Sequence, residues 1–200
     1  LGKTLEDEGK FKDAIQVYQE SNESHDNFPE ILARIGNCYM QLQDLFNAEK
    51  YYQLSLDFNK NGYTAGVGLA LLQIQCEKFK DAINMFLRVI KFNPDSDKAW
   101  SGIGIAYMKN EQVVESMNAF SKALEININN ETAIKFLLEL SYLNNQYSQI
   151  ECALKSYLTI YPDDVNMLFG LAGVQYKSNC IDESKKTLTD ILSVEPDNED

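Results

Sequence analysis

The feature that most constrains this chain is that its sequence repeats with a period of 34 residues. The segment KFKDAI occurs at residues 10–15 and again at 78–83, which is an offset of two periods. Pro94, Pro162 and Pro196 are separated by two periods and by one. A fixed period of this size indicates stacked structural repeats, each burying its apolar face against its neighbours.

The repeat register follows from one segment, WSGIGIAY. If residue 97 is position 1, then Trp100, Ile103, Gly104 and Tyr107 stand at positions 4, 7, 8 and 11, which is helical spacing. No insertion breaks the register. It predicts a single domain made of a partial repeat, 1–28, followed by five complete repeats, 29–62, 63–96, 97–130, 131–164 and 165–198. Since the chain begins inside a first helix and ends just after a second one, we expect an excerpt of a longer protein.

The pattern resembles the tetratricopeptide repeat family. That family's 34-residue motif is W-x2-L-G-x2-Y, then A-x3-F, then P. Trp100 to Tyr107 match it with one conservative change, Phe120 stands at position 24, and Pro94 stands at position 32 of its own repeat. The resemblance covers essentially the whole chain. It implies an all-α fold, an α-solenoid of stacked antiparallel helix hairpins in a right-handed superhelix, with helix A at about positions 1–14 and helix B at about 15–28.

Small residues in the pattern predict close contact between the two helices of a repeat. Position 8 on helix A is expected to face position 20 on helix B, which pairs Gly36 with Ala48, Ala70 with Ala82 and Gly104 with Ser116. Buried area then offsets the roughly 1 kcal/mol that a mid-helix glycine costs.

The repeat 131–164 departs from this scheme. Its small positions hold Leu138, Ile150 and Tyr157. We expect its two helices to cross further apart, either as ordinary repeat divergence or as a kink that shapes a binding surface.

Composition excludes several classes of partner and site. The net charge is −12 and the isoelectric point about 4.5, which argues against nucleic acid and against an anionic membrane surface. No apolar run approaches the roughly 18 residues of a membrane span. The four cysteines lack CxxC spacing, so we expect reduced, mostly buried thiols and a reducing, cytoplasmic compartment.

Catalytic motifs are absent from the sequence. The one histidine, His25, stands in a polar turn, SNESHDN, and is expected to be a plain exposed residue. A zinc site of the usual kind cannot be assembled from one histidine and scattered cysteines. Neither a phosphate-binding glycine loop nor a nucleophile elbow is present. We therefore predict no enzymatic activity, no metal and no cofactor.

The resemblance implies a binding groove. In this family the A helices line a concave surface that holds an extended peptide or a partner's helix, typically through positions 2, 5, 6, 9, 12 and 13. Polar residues at these positions would orient a ligand, and apolar ones would anchor it. The candidates are Arg34, Asn37, Leu71, Ile74, Lys98, Ile105, Met108, Lys135, Phe136, Tyr142, Phe169 and Tyr176. Glycines at position 6 are expected to leave pockets between them, although some of these side chains could instead pack between neighbouring repeats.

One binding mode of the family can be tested on the sequence. The carboxylate clamp for acidic chaperone tails needs Lys, Asn, Asn, Lys and Arg at five positions. This chain has Ala33, Asn37, Gly68, Lys98 and Gly102 there, so two of five match and the clamp is not expected.

The predicted function is a protein–protein interaction scaffold or adaptor that binds a peptide or partner helix. Two alternatives stay open. The uncapped ends, with Leu188, Ile191 and Leu192 at the last helix, could pair with another copy in a homo-oligomer. The piece could also be the substrate-recognition arm of a larger enzyme such as a glycosyltransferase.

Overall fold

The computed structural model describes residues 1–23 and 28–194, and within these ranges every regular element is an α-helix. The helices are α1 Gly2–Asp7, α2 Phe11–Glu23, α3 Pro29–Gln41, α4 Leu45–Phe58, α5 Tyr63–Gln75, α6 Phe79–Phe92, α7 Asp97–Lys109, α8 Val113–Ile126, α9 Glu131–Asn144, α10 Ser148–Ile160, α11 Val165–Lys177 and α12 Ile181–Val194. The predicted fold class, an all-α solenoid of helix pairs, is confirmed.

The chain divides into two compact units, Leu1–Gln112 and Val113–Asp200, hereafter unit 1 and unit 2. In unit 1 the helices pack in chain order, and the A helices α3, α5 and α7 also lie side by side. In unit 2 each helix from α8 to α12 packs on the next, and the B helices α8 and α10 also touch.

The helix boundaries differ from the prediction at the A–B turn. Most A helices span positions 1–13, and the B helices begin at position 17 or 18 rather than 15. Position 15 has a left-handed backbone in all six repeats, with φ between 55° and 74°, at Gly9, Gln43, Glu77, Glu111, Asn145 and Asn179. The amide of position 16 donates to the carbonyl of position 11, as from Lys78 to Gln73 at 2.8 Å. This is a Schellman ending, which needs three residues between the helices.

The other ends of the helices are set by caps and prolines. The side chains of Asp44, Ser96, Asn130 and Asp164 each accept a hydrogen bond from the backbone amide three residues on. These bonds satisfy amides that have no partner inside the helix. Pro94 and Pro162 lie just after α6 and α10, as predicted, and Pro196 lies outside the described residues.

The small residue at position 8 has a further neighbour besides the predicted position 20, which is the ring at position 24. A Cβ added to Gly36 would lie 2.7 Å from the ring of Tyr52, at position 24, rather than first meeting Ala48. Gly2 faces the ring of Tyr18 in the same way. The large ring at position 24 therefore requires these glycines, and the predicted approach of positions 8 and 20 is seen in the last repeat, where the Ser184 hydroxyl donates to the Ala172 carbonyl at 2.9 Å.

The irregular repeat 131–164 is less tightly paired, as expected. Helices α9 and α10 approach each other over fewer residues than α3 and α4 or α11 and α12 do. Ile150 is fully buried between them, whereas Leu138 is half-buried. Two bulky side chains occupy positions that are small elsewhere, and they hold the helices apart.

Candidate functional site

A layer of contacts joins each repeat to the next. The residue at position 6 of an A helix lies against position 24 of the preceding B helix. The rings of Tyr52 and Phe86 fill the space above Gly68 and Gly102, where any added Cβ would clash with them. In unit 2, Phe136 stacks on Phe120 with ring centroids 5.6 Å apart. A side chain at Gly68 or Gly102 would therefore clash with the ring of the preceding repeat, and of these two glycines Gly68 lines the groove described below.

In unit 1 the position-24 tyrosines carry hydroxyl groups through this layer to the A-helix surface. The Tyr52 hydroxyl donates to Asn37 Oδ1 at 2.7 Å, and the Tyr18 hydroxyl donates to a Glu6 carboxylate oxygen. Arg34 Nη1 lies 3.5 Å from the same Glu6 oxygen. Burial, together with the neighbouring Glu6 carboxylate, raises the pKa of Tyr18 to about 12. Burial also raises the pKa of Tyr52. Both phenols are therefore protonated donors at neutral pH.

A groove of about 470 Å³ runs along the A helices of unit 1. Of the predicted residues it brings together Asn37, Leu71 and Lys98. The remaining lining comes from the A helices α1, α3 and α5 and from Phe11 and Tyr52 of the B helices: Glu6, Asp7, Phe11, Cys38, Met40, Gln41, Tyr52, Tyr63, Thr64, Val67 and Gly68. Leu71 is 42% exposed and contributes apolar surface in the middle of this lining.

The charges in this groove are separated. Glu6 and Asp7 lie on α1, at one end of the row of A helices, and Lys98 lies on α7, at the other. Glu6 is engaged by Tyr18 and Arg34. Asp7 and Lys98 are exposed, and within residues 1–23 and 28–194 neither makes an ion pair or a side-chain hydrogen bond.

The two acidic residues at the α1 end of the groove, Glu6 and Asp7, were not among the residues predicted from the sequence. Glu6 and Asp7 stand at positions 12 and 13 of the partial repeat, which are groove positions, but candidates were drawn from complete repeats only. The period itself was the signal that could have found them. Tyr52 gave no such signal, because position 24 belongs to the helix interface.

The other candidates of unit 1 lie outside the groove lining. Arg34 is held by Glu6, and the neighbouring Tyr18 and Glu6 raise its pKa against the opposing effect of burial. Ile74, Ile105 and Met108 are half-buried on α5 and α7.

The candidates of unit 2 lie on the A helices α9 and α11. Lys135 Nζ lies 5.8 Å from the centroid of the Phe136 ring, which is itself half-buried against Phe120. Tyr142 meets Tyr147 edge to face, with centroids 5.7 Å apart. Phe169 is half-buried, and Tyr176 is 61% exposed.

A different cavity of unit 2, of about 590 Å³, lies between the B helices α8 and α10. It is lined mainly by apolar side chains, including Leu124, Ile128, Ala153 and Ile160, and Cys152 forms part of its wall.

The remaining sequence predictions concern isolated residues. All four cysteines are free, but only Cys38 is buried, and Cys152 is exposed, so the expectation of mostly buried thiols is wrong. Burial raises the pKa of Cys38 to about 11. Ile191 is buried, unlike Leu188 and Leu192, because it packs inward in the α11–α12 pair. His25 lies outside the described residues.

No group of three or more His, Cys, Asp or Glu side chains in the described part of the chain could hold a metal ion. Among the described helices, none combines the length and the apolar character that crossing a membrane requires.

Comparison with known families gives two matches. Tetratricopeptide repeat models match residues 67–131 and residues 29–61. No curated protein matches the sequence.

Solved structures share the fold at low sequence identity. PilF of Pseudomonas aeruginosa has a TM-score of 0.73 and 12% identity, with 99% of this chain and 90% of that chain covered. YrrB, a tetratricopeptide repeat protein with an unusual peptide-binding site, has a TM-score of 0.64 and 15% identity over 90% of this chain and 93% of that one. The first tetratricopeptide repeat domain of Spaghetti, solved with the HSP90 peptide SRMEEVD, has a TM-score of 0.56 and 22% identity, covering 57% and 91%.

Proposed function

Because this chain belongs to the tetratricopeptide repeat family, a family of protein-interaction scaffolds, we propose that unit 1 holds an extended peptide segment of a partner protein in its A-helix groove. The observation that carries the proposal is the exposed Leu71 at the centre of a 470 Å³ groove whose polar groups are already oriented. An exposed leucine in a concavity gains free energy when a ligand's apolar side chain covers it.

The orientation of Asn37 supports a peptide ligand. Its Oδ1 accepts the Tyr52 hydroxyl, so its Nδ2 is left as a donor at the groove surface. A donor at this point suits a backbone carbonyl, which every residue of an extended peptide offers. Fixing the amide beforehand reduces the conformational entropy that binding has to overcome.

Two of the similar structures point in the same direction. YrrB has a peptide-binding site, and the Spaghetti domain binds the peptide SRMEEVD. The five-residue clamp for acidic tails is incomplete in this chain, since Ala33, Gly68 and Gly102 stand at three of its positions. We therefore propose a groove that is anchored mainly by apolar contacts, with no catalysis by this chain and a reducing, cytoplasmic location.

The other predicted groove residues enter the proposal in secondary roles. Lys98 provides a charge at one end of the unit 1 groove. Tyr142 and Tyr176 are exposed on the A helices of unit 2 and are candidates for contacts that unit 2 makes by itself.

The test uses two exposed leucines as a matched pair. Leu71 is 42% exposed in the groove, and Leu87 is 47% exposed on the B helix α6, outside it. A displayed library of random peptides would be selected on the wild-type protein and then bound to Leu71→Asp and Leu87→Asp. Selected peptides should bind the wild type and Leu87→Asp, and lose binding to Leu71→Asp. Equal binding to all three would contradict the proposal, and circular dichroism would confirm that each variant is folded.

Self-association is a second candidate, favoured by the last helix of the chain's described part. On α12, Leu188 is 42% exposed and Leu192 is 51% exposed. Two such faces would bury apolar area against each other. Light scattering across a concentration series should show a dimer that Leu192→Asp abolishes, and a monomer at every concentration would rule the candidate out.

A further inference from the structure

We infer that the groove of unit 1 reads charge as well as apolar surface, and that its ligand carries a basic side chain toward α1, an apolar anchor at Leu71 and an acidic side chain toward α7. This inference rests on the proposed function and adds a partner chemistry to it. The groove's lining holds carboxylates at one end only and an ammonium group at the other.

Two exposed charges of the groove, Asp7 and Lys98, are available to a ligand. Tyr18 and Arg34 already engage the Glu6 carboxylate, which leaves Asp7 as the less satisfied acid of the α1 end. Lys98 has no partner within the described residues and lies on the groove wall. A ligand carboxylate near Lys98 and a ligand cation near Asp7 would each replace water around one exposed charge.

Leu71 and Val67 on α5 and Met40 on α3 present apolar surface between the two charged ends. A charged side chain placed here would lose hydration without an opposite charge beside it. The order of basic, apolar and acidic groups along the ligand is therefore fixed by the order of the helices.

The A helices of unit 1 follow one another from α1 to α7, which makes three steps. Packed helices lie about 8–10 Å apart, and an extended chain advances about 3.4 Å per residue. Allowing for the reach of the Asp7 and Lys98 side chains, the two ligand charges should be separated by about five to eight residues.

The experiment measures the charge preference directly. Peptides with a fixed central leucine and four random residues on each side would be displayed and selected on the wild-type protein, and enrichment would be read by sequencing. We expect Asp and Glu to be enriched on one side of the leucine and Lys and Arg on the other. Lys98→Glu should lower the acidic enrichment about five-fold, and Asp7→Lys should lower the basic enrichment by a similar factor, since exposed ion pairs are individually weak.

Control variants that change the net charge by the same amount, but outside the groove, show whether an altered profile comes from the groove residue or from the overall charge of the protein. Lys91→Glu on α6 and Asp57→Lys on α4 alter exposed residues that do not line the groove. Both should give the wild-type profile. Identical profiles for the wild type and Lys98→Glu would overturn the inference, as would profiles that shift equally in the controls.

The two proposals fail in different ways. If Leu71→Asp still binds the selected peptides, the groove is not the binding site, and the proposed function itself is wrong. If Leu71→Asp loses binding while Lys98→Glu and Asp7→Lys leave the profile unchanged, the groove is the site but does not read charge.

Discussion

Units 1 and 2 use the same repeat register but fill its central layer differently. In unit 1 the rings at position 24, Tyr52 and Phe86, lie against glycines at position 6 of the next repeat. In unit 2 the corresponding residues are Phe120, which stacks on Phe136, and Leu154, whose Cδ1 would lie 3.7 Å from a Cβ at Gly170. A ring at position 24 leaves no room for a side chain at Gly68 or Gly102, whereas Leu154 leaves room for one at Gly170, so glycines at the same repeat position have different tasks in the two units.

The comparison also explains where the candidate groove lies. A ring that passes between A helices brings its hydroxyl to their outer surface, as Tyr52 does beneath Asn37. Leu154, at the same position in unit 2, has no polar group that could reach that surface. The interior layer of unit 1 thus orients a side-chain amide at the candidate groove, and the position-24 residues of unit 2 carry no hydroxyl that could do the same.

The largest effect is expected from Phe86→Ala. Phe86 is fully buried, and Gly102 beside it has no side chain that could relax into the cavity. The free energy of unfolding of unit 1 should fall by about 3–5 kcal/mol. Urea unfolding followed by emission of Trp100, the single tryptophan and a residue of unit 1, measures it. The free energy lost by unit 2 in Leu154→Ala would be measured by hydrogen exchange. If Phe86→Ala costs less free energy of unfolding than Leu154→Ala does, the contrast between the two units is wrong.

A matched pair of glycine substitutions should change stability in opposite directions. Gly68→Ala places a methyl group against the Tyr52 ring, and overpacking of this kind destabilises by about 1–3 kcal/mol. Gly170→Ala meets only an ordinary contact with Leu154, so helix propensity should stabilise unit 2 by about 1 kcal/mol. Thermal unfolding by circular dichroism checks both variants. A shift of the same sign in both would show that the layer does not discriminate between them.

Alkaline pH should affect the buried tyrosines of unit 1. The folded-state pKa of Tyr18 is raised to about 12 from 10.0. Because the pKa of this phenol is higher in the folded state than in the unfolded state, its contribution to the free energy of unfolding is complete below pH 10 and is lost as the pH rises through 12. The loss should be on the order of 2 kcal/mol between pH 9 and 12.

The matching variant is Tyr18→Phe, which keeps the ring beside Gly2 and removes the ionisable group. Its urea midpoint, read from Trp100, should fall less between pH 9 and 12 than that of the wild type. Parallel curves for the two proteins would mean that Tyr18 is not the group responsible.

The sequence allowed the repeats, the helix pairs and the family to be predicted, because Trp100, Gly104 and the prolines recur at a fixed period. It did not reveal the contact between positions 6 and 24. A period identifies equivalent residues, but it does not say which neighbour fills the space beside them. Gly68 does line the groove, but the period gave no sign that the Tyr52 ring from the preceding repeat lies directly beside it.

The A–B turn shows a second limit of sequence reasoning. Gly9, Asn145 and Asn179 favour a left-handed backbone at position 15, but Gln43, Glu77 and Glu111 do not. The helices on either side and the Schellman hydrogen bonds impose this conformation whatever residue is present. Three of the four turns of unit 1 therefore carry a residue that is poorly suited to its backbone, and both turns of unit 2 within the described residues carry asparagine.

This difference gives the smallest predicted effect. Glu77 has φ 59°, where a side chain costs an L-residue about 1–2 kcal/mol. Glycine removes that cost but adds conformational entropy to the unfolded chain, so Glu77→Gly should stabilise unit 1 by about 1 kcal/mol or less. Asn179→Gly, at φ 64°, should change the stability of unit 2 little, because asparagine already tolerates this backbone. Thermal unfolding of both variants measures the difference. If Glu77→Gly destabilises the protein, the left-handed turn carries no strain, and the contrast between the units is confined to their interior layer.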